Sequence, residues 1–316
     1  MSETIFVINA IFPILLLLGT GHLLRRTSLF NDSTVNSLKK VVVNITLPAV
    51  LFTSFLDTSL ERRYLLLMAL VFALCIVLYF FGRWVKNLLK EKWEYYPFLY
   101  TGFEFGMLGL SLFGTAYGLS NFGSMAILGL PHEFFIWFVY LTLLKKEGNQ
   151  TPSVGELLKS FITSPLIIAI FLSITINLLG LTSTLKGFLL SDGIFQFLDT
   201  LAGLTGPLIL LMIGFEIHIK KDNLKSSIEM VGIRLGTLIP LALLLNHFVI
   251  NLALGLEKKF QAAFFTLLIL PPPFIIPIFM KKGLDDEKAF INNTLMLHTV
   301  TSIVVFIIYF AMNPHI

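Results

Sequence analysis

Charge, cysteine and nucleotide-binding loops are all scarce in this chain of 316 residues. Charged residues make up 13% of the sequence, against about a quarter in soluble domains, while hydrophobic residues reach 56% and the mean hydropathy is +0.85. The single cysteine, Cys75, excludes a disulfide framework or a cysteine-rich metal site. No G-x-x-x-x-G-K-[ST] loop is present to bind ATP. The composition therefore favours a membrane protein with neither cofactor nor metal.

Ten apolar stretches are long enough to cross a hydrocarbon layer of about 30 Å, which takes about 20 helical residues. The second and seventh are the least apolar, so nine or eight spans remain as alternatives. Acidic Glu3, rather than a basic residue, precedes the first stretch, so we expect a retained helix instead of a cleaved signal peptide. Spans 1 to 10 cover residues 5–24, 35–56, 64–82, 97–118, 122–144, 161–180, 196–217, 232–254, 260–280 and 289–311.

Basic residues fall mainly on one side of these spans. Short loops rich in Lys and Arg stay in the cytoplasm, so the loops after spans 1, 3, 5, 7 and 9 are predicted inside and both termini outside. No Lys or Arg lies well inside a span, and the pI near 9.0 requires no nucleic-acid partner. The inner set comprises Arg25, Arg26, Lys39, Lys40, Arg83, Lys86, Lys90, Lys92, Lys145, Lys146, Lys159, Lys220, Lys221, Lys225, Arg234, Lys281, Lys282 and Lys288; the outer set comprises Arg62, Arg63, Lys186, Lys258 and Lys259.

The chain divides into two halves of five spans each. Prolines recur in matching places, Pro13 with Pro165 and Pro48 with Pro207, although chance spacing of common membrane prolines is an alternative. An odd number of spans inverts the second half relative to the first, a symmetry that many secondary transporters share. We predict an all-α membrane protein with a first repeat at 1–146, a cytoplasmic linker at 147–160 and a second, inverted repeat at 161–316.

Spans 4 and 9 contain residues that interrupt a helix. Span 4 holds five glycines between residues 101 and 118, including Gly106 and Gly109. Interrupted helices at matching positions of two halves indicate a transport site, so we expect spans 4 and 9 to be broken and to cross. Close helix packing through the glycines is the structural alternative. Span 9 reads LPPPFIIPIFM and holds Pro271, Pro272, Pro273 and Pro277, each of which removes a backbone donor.

Glu104 in span 4 is the first candidate for a functional side chain. A carboxylate inside a membrane is costly, and loss of water disfavours its charged form, so Glu104 is a candidate for binding and releasing a proton. Ser111 is predicted to share its helix face. His298 in span 10 is a candidate relay partner or a contact for an anion. The alternatives are a neutral Glu104 bonded to free carbonyls and a histidine that only joins two helices.

Three further polar residues could line the same cavity. His132 and Glu133 follow Pro131 in span 5, although both could instead lie near the headgroups. Asn44 precedes Pro48 in span 2 and is a candidate donor. Without a buried Lys or Arg, an organic anion would be held by histidine, amides, hydroxyls and helix N-termini, which favours carriage of a partly protonated acid.

Several short segments resemble the auxin efflux carrier family, whose bacterial members include malate and other organic-acid permeases and which is related to bile-acid sodium symporters. GHLLRRTSLF at 21–30, VVVNITLPAVLFTSF at 41–55 and LTGPLILLMIG at 204–214 are similar to its conserved elements. EFGMLGLSL at 104–112 takes the place of the family's N-T-G-F-L-G-L-P-L. Glu104 and Ser111 thus replace the usual asparagine and proline, and His298 replaces a small hydroxyl residue.

The resemblance implies a secondary transporter in the bacterial plasma membrane, with malate as the first substrate, proton-linked or working by exchange through alternating access. It also implies a homodimer. Carriers of amino acids or auxin-like aromatic acids, a channel and a sensor are the alternatives. An enzyme is disfavoured, because HEFFI lacks the second histidine of H-E-x-x-H and GLSLF lacks the last glycine of G-x-S-x-G.

Overall fold

The structure, a computed structural model, describes residues 3–27, 29–58, 61–149, 153–218, 221 and 223–316. Lys220 of the inner basic set, Ser28 of the 21–30 segment and residues 150–152 of the predicted linker lie outside these ranges. All regular secondary structure in the described ranges is helical. The all-α prediction is therefore confirmed for this part of the chain.

Thirteen helices follow one another in the described residues. Seven of them, α1, α2, α3, α5, α9, α10 and α13, are long and apolar enough to cross a membrane, and α6 with α7 forms an eighth span if this pair, bent by 65°, counts as one. The helices are α1 (Glu3–Leu24), α2 (Asp32–Leu56), α3 (Arg62–Leu89), α4 (Phe105–Tyr117), α5 (Leu119–Glu147), α6 (Val154–Ile162), α7 (Pro165–Leu178), α8 (Thr182–Lys186), α9 (Ser191–Glu216), α10 (Leu224–Ala253), α11 (Lys258–Ile269), α12 (Ile276–Phe279) and α13 (Asp285–Met312).

Spans 4 and 9 are interrupted, as predicted. Span 4 consists of a 3-10 turn at Tyr96–Leu99, irregular backbone at 102–104 and then α4. Span 9 consists of α11, a stretch without helix at 270–275 and the four-residue α12. The seven long helices match spans 1, 2, 3, 5, 7, 8 and 10, and the bent pair matches span 6. Because α4 and α11 are too short to cross alone, the count of ten spans stays a prediction.

The prolines that were matched between the two halves occupy different local structures. Pro13 and Pro207 lie inside α1 and α9, where each leaves one carbonyl without its usual helical donor. Pro48 follows a wide π turn at Val42–Thr46 within α2. Pro165 is the first residue of α7, a position that needs no backbone donor, and it follows the sharp bend after α6.

The long helices form two bundles. In the first bundle, α1 packs on α9, α2 packs on α7, and α2 and α9 also contact each other. In the second, α3 packs on α5, α10 packs on α13, and α11 contacts both α5 and α10. The short α4 touches α9 of the first bundle and α5 of the second. The broken span 4 therefore lies where the two bundles meet.

Two glycines bring α1 and α9 into backbone contact. A Cβ atom added to Gly21 would lie 2.1 Å from the carbonyl oxygen of Leu211, and one added to Gly214 would lie 2.1 Å from that of Leu18. No side chain fits at either position without moving a backbone. The small residues of the 21–30 and 204–214 segments thus serve helix packing.

Candidate functional site

The two helix breaks touch each other. The backbone N–H of Glu104 donates to the carbonyl of Pro271 at 2.8 Å, and the N–H of Phe274 donates to the Glu104 carboxylate at 3.0 Å. Gly102 has a φ of +69°, and a Cβ added there would lie 2.8 Å from the Pro273 ring. Only glycine satisfies both conditions. The predicted crossing of spans 4 and 9 is thus a direct contact between their irregular segments.

A cavity of about 450 Å³ opens beside this contact, between the two bundles. This volume is in the range of small-molecule sites, and most of the lining is apolar or aromatic. Among the described residues that line it there is no Lys or Arg. Five predicted site residues line it, namely Glu104, Gly106, His132, Glu133 and Pro273, together with Val43, Leu47, Phe103, Phe105, Met107, Ile136, Trp137, Leu141, Leu166, Ile275, Ile278 and Phe279.

His132 is bonded to the first break through one ring nitrogen. The backbone N–H of Phe103 donates to Nε2 of His132 at 2.9 Å, and the imidazole is 1% exposed. Because Nε2 accepts, it carries no proton, so the hydrogen-bond geometry assigns the proton of the neutral ring to Nδ1. Nδ1 lies 3.5 Å from Oε1 of Glu133.

Asn44 and Pro48 do not line the cavity, which corrects the prediction for both. Asn44 is exposed, and its side chain donates to the carbonyl of Lys40 at 2.7 Å. Val43 and Leu47 supply the wall from α2 instead. Residues four apart share a helix face, whereas Asn44 lies about 100° around the helix from Val43.

His298 does not reach Glu104 either, so the predicted relay between them is wrong in this structure. Its Nδ1 lies 2.9 Å from the Ser302 hydroxyl, which donates to the carbonyl of Ile269 at 2.5 Å. Ile269 is the last residue of α11. His298 is fully buried and supports the end of α11, where the prolines leave this carbonyl without its helical donor.

The remaining candidates surround the cavity without lining it. Gly109 packs on the Leu270 side chain, and Pro272 is buried within the second break. Pro277 lines a cleft of about 540 Å³, which shares Ile278 with the cavity. Ser111 donates to the carbonyl of Met107 at 2.6 Å and lines a different cavity. It therefore does not share a cavity with Glu104.

This second cavity, of about 260 Å³, lies at the other end of α4 from Glu104. It contains Ser111 and the ring of Pro207, and it also lies between the two bundles. Through Val50, Leu119 and Ala202 it adjoins a cleft of about 240 Å³. The two ends of α4 therefore border separate cavities.

Arg234 is a functional candidate that the sequence reasoning missed. It is fully buried inside α10, where its Nη1 and Nη2 donate to the carbonyls of Leu99 and Gly102 at 2.7 and 3.0 Å. The sequence analysis counts it with the inner loop before span 8, because it stands only two residues after the predicted start of that span at residue 232. The helix begins earlier, at Leu224, after Asn223 in a left-handed conformation. Both the loop assignment and the claim that no Arg lies inside a span are corrected.

No protein-family profile matches the chain, and no curated protein is significantly similar to it. The resemblance to auxin efflux carriers therefore stays an expectation from short segments. Across the described residues, no group of three His, Cys, Asp or Glu side chains is arranged to hold a metal ion.

Proposed function

We propose that this chain is a secondary transporter that carries a small organic acid together with protons across the bacterial plasma membrane. The contact between two helix breaks at the wall of a cavity carries the proposal. Irregular backbone at membrane depth is stable only where protein or a water-filled cavity satisfies its polar groups. Broken helices that meet at a cavity are the usual construction of a transporter site.

The pairing of helices supports an inverted repeat. If each span of the first half corresponds to the span five places later, then the α1–α9 pair corresponds to the α7–α2 pair. Likewise the α3–α5 pair corresponds to α10–α13, and the contact of α3 with the 96–99 turn corresponds to α10–α11. Each of these named pairs is present, so these contacts map onto one another under this exchange.

The two cavities at opposite ends of α4 support alternating access. Both lie between the bundles, so a shift of one bundle against the other would widen one cavity while it narrows the other. On the predicted topology, with both termini outside, the cleft that shares Ile278 with the cavity at Glu104 lies on the cytoplasmic side. The cavity at Ser111 belongs to the outer half of the path.

The carboxyl groups of Glu104 and Glu133 supply the proton linkage. An organic anion that enters the cavity meets two carboxyl groups and no Lys or Arg in the described lining. Ionised carboxylates would repel the anion strongly in this apolar setting. Each ionised carboxyl group that takes up a proton loses its repulsion of the anion, so acid and protons travel together. Malate is the first substrate to test, with amino acids and aromatic acids next.

A carrier of organic amines is the second candidate. The specific observation in its favour is the same lining, in which two carboxylates face aromatic rings such as Phe103, Phe105 and Trp137. Aromatic faces and carboxylates attract a cationic ammonium group. Such a carrier would exchange the amine for protons, since each would neutralise the same carboxylates.

Uptake into proteoliposomes tests the proposal. Labelled malate is added with and without an inward proton gradient, and counterflow is measured in vesicles preloaded with unlabelled substrate. Saturable uptake that the gradient stimulates, with counterflow, supports an acid carrier, whereas uptake without counterflow indicates a channel. Uptake of a labelled amine driven by an outward proton gradient, with no uptake of any acid in the panel, would replace the first candidate by the second.

A further inference from the structure

Arg234 is a buried charge without a carboxylate partner. In the described residues no Asp or Glu oxygen lies within 4.0 Å of its guanidinium. Its polar contacts are the two carbonyls of the first break, and its central carbon lies 5.4 Å from the centre of the Phe103 ring. A buried charge is expensive, so its position beside irregular backbone calls for a reason.

The break itself creates the need for these donors. In a continuous helix the carbonyl of Leu99 would accept from the N–H of Phe103, four residues later. Here that N–H donates to His132 instead, so the carbonyl of Leu99 is free to accept from Arg234 at 2.7 Å. The carbonyl of Gly102 likewise loses its helical partner and accepts from the same guanidinium. One planar group with several donors can reach both oxygens.

We propose that Arg234 is the positioning residue that fixes the first break, and with it the Phe103 and Glu104 section of the cavity wall. The guanidinium replaces the helical donors on one side of the segment, and His132 replaces the helical acceptor on the other. The effect on transport rests on the proposed function. The proposal that Arg234 fixes the first break does not depend on that function, and it is tested separately.

The reactivity of Cys75, the only cysteine of the chain, can show whether Arg234 fixes the first break. Cys75 in α3 is fully buried, and its carbonyl accepts a hydrogen bond from the Thr101 hydroxyl at 2.5 Å. Thr101 directly precedes Gly102, and the Cys75 thiol itself contacts the backbone of Gly102, so a break that loosens releases the contacts of both the carbonyl and the thiol of Cys75. The thiol then becomes accessible to small reagents.

The experiment measures the labelling rate of Cys75 by a membrane-permeant maleimide in purified protein, well below the melting temperature. We expect Arg234→Gln to label at least tenfold faster than wild type and Arg234→Lys to be intermediate, because a lost hydrogen bond to a charged group shifts an opening equilibrium by at least that factor. Arg63→Gln is the matched control. Arg63 also donates to a backbone carbonyl, that of Gly255 at 2.8 Å, but in an outer loop.

Wild-type labelling rates in both Arg234 variants would overturn the proposal, and so would equal acceleration in Arg63→Gln. If Arg234→Gln does not fold, Arg234→Lys decides alone. In transport assays the proposal expects Arg234→Lys to raise KM while the folded fraction stays near wild type, whereas a merely structural role would lower the amount of active protein at unchanged KM. If the Arg234 variants label faster but the protein transports no substrate, the positioning role of Arg234 stands and the transport function is rejected.

Discussion

Replacement of Glu104 separates proton coupling from structure. The carboxylate accepts the backbone N–H of Phe274 at 3.0 Å, and the backbone of Met107 also interacts with it. In Glu104→Gln the amide oxygen can still accept this bond, so the exchange of a charged for a neutral acceptor changes stability by about 1 kcal/mol. In Glu104→Ala the N–H loses its acceptor, which costs about 1–3 kcal/mol. Only the glutamine variant therefore keeps the break while it removes the proton site.

The transport effect follows from the driving force. A gradient of two pH units supplies about 2.8 kcal/mol for each proton carried, so a carrier that moves one proton with each substrate accumulates its substrate about 100-fold. We expect wild type to approach this ratio in proteoliposomes whose membrane potential is held at zero with potassium and valinomycin. Glu104→Gln should equilibrate its substrate without accumulation and keep counterflow. Glu104→Ala should lose both.

Glu229→Gln is the control, because Glu229 is an exposed carboxylate on the same protein, and its oxygen lies 3.9 Å from the Lys225 ammonium. It should accumulate substrate like wild type. Full accumulation by Glu104→Gln would refute the assignment of the proton to Glu104 and transfer it to Glu133. Loss of counterflow in Glu104→Gln at normal melting temperature would mean that the carboxylate binds substrate directly.

Three further predictions concern stability, each measured as the melting temperature of the purified protein. Gly21→Ala should lower the free energy of unfolding by about 1–3 kcal/mol, because its new Cβ meets a carbonyl of α9. Gly19→Ala, whose new Cβ has no atom within 4 Å, should leave it unchanged. His132→Ala should lower the free energy of unfolding by about 1–3 kcal/mol, because the buried N–H of Phe103 then has no acceptor. A hydrogen bond from an arginine lowers the pKa of Glu61 below its ordinary 4.5, so its stabilisation is present above that pH and is lost as the pH falls below it. The difference in melting temperature between wild type and Glu61→Gln should therefore disappear below pH 4.5.

The hydrophobic pattern predicts the all-α class and the seven long helices. Long apolar runs identify α1, α3 and α13 directly, because lipid requires continuous helices with satisfied backbones. The triple proline at 271–273 predicts its break for the same reason, since a helix lacking three successive donors cannot continue. Gly102 is less specific, because glycine suits both a break and a close helix contact, and only its φ of +69° decides between them.

The site could be predicted only in part. Glu104, His132 and Glu133 were identified because ionisable groups are rare in apolar spans and each stands beside a break or a proline. His298 is also an ionisable group in an apolar span, but its side chain contacts Ser302 and does not line the cavity. Which face of a helix meets a cavity depends on packing that single-chain patterns do not contain.

Arg234 was missed for a different reason. Near the end of an apolar window, a basic residue in a loop and a basic residue inside a helix have the same hydropathy signature. The distinction depends on free carbonyls supplied by another segment, here those of Leu99 and Gly102. The sequence of α10 alone does not show that carbonyls of another segment need a donor there.

The most direct test of alternating access uses Gly106, which lines the cavity and has no atom within 4 Å of an added Cβ. Gly106→Cys in a Cys75→Ala background is treated with a membrane-impermeant thiol reagent in right-side-out and in inside-out vesicles. The account predicts labelling from both sides, with protection from either side by saturating substrate. Labelling from one side only, under every combination of substrate and proton gradient, would contradict it.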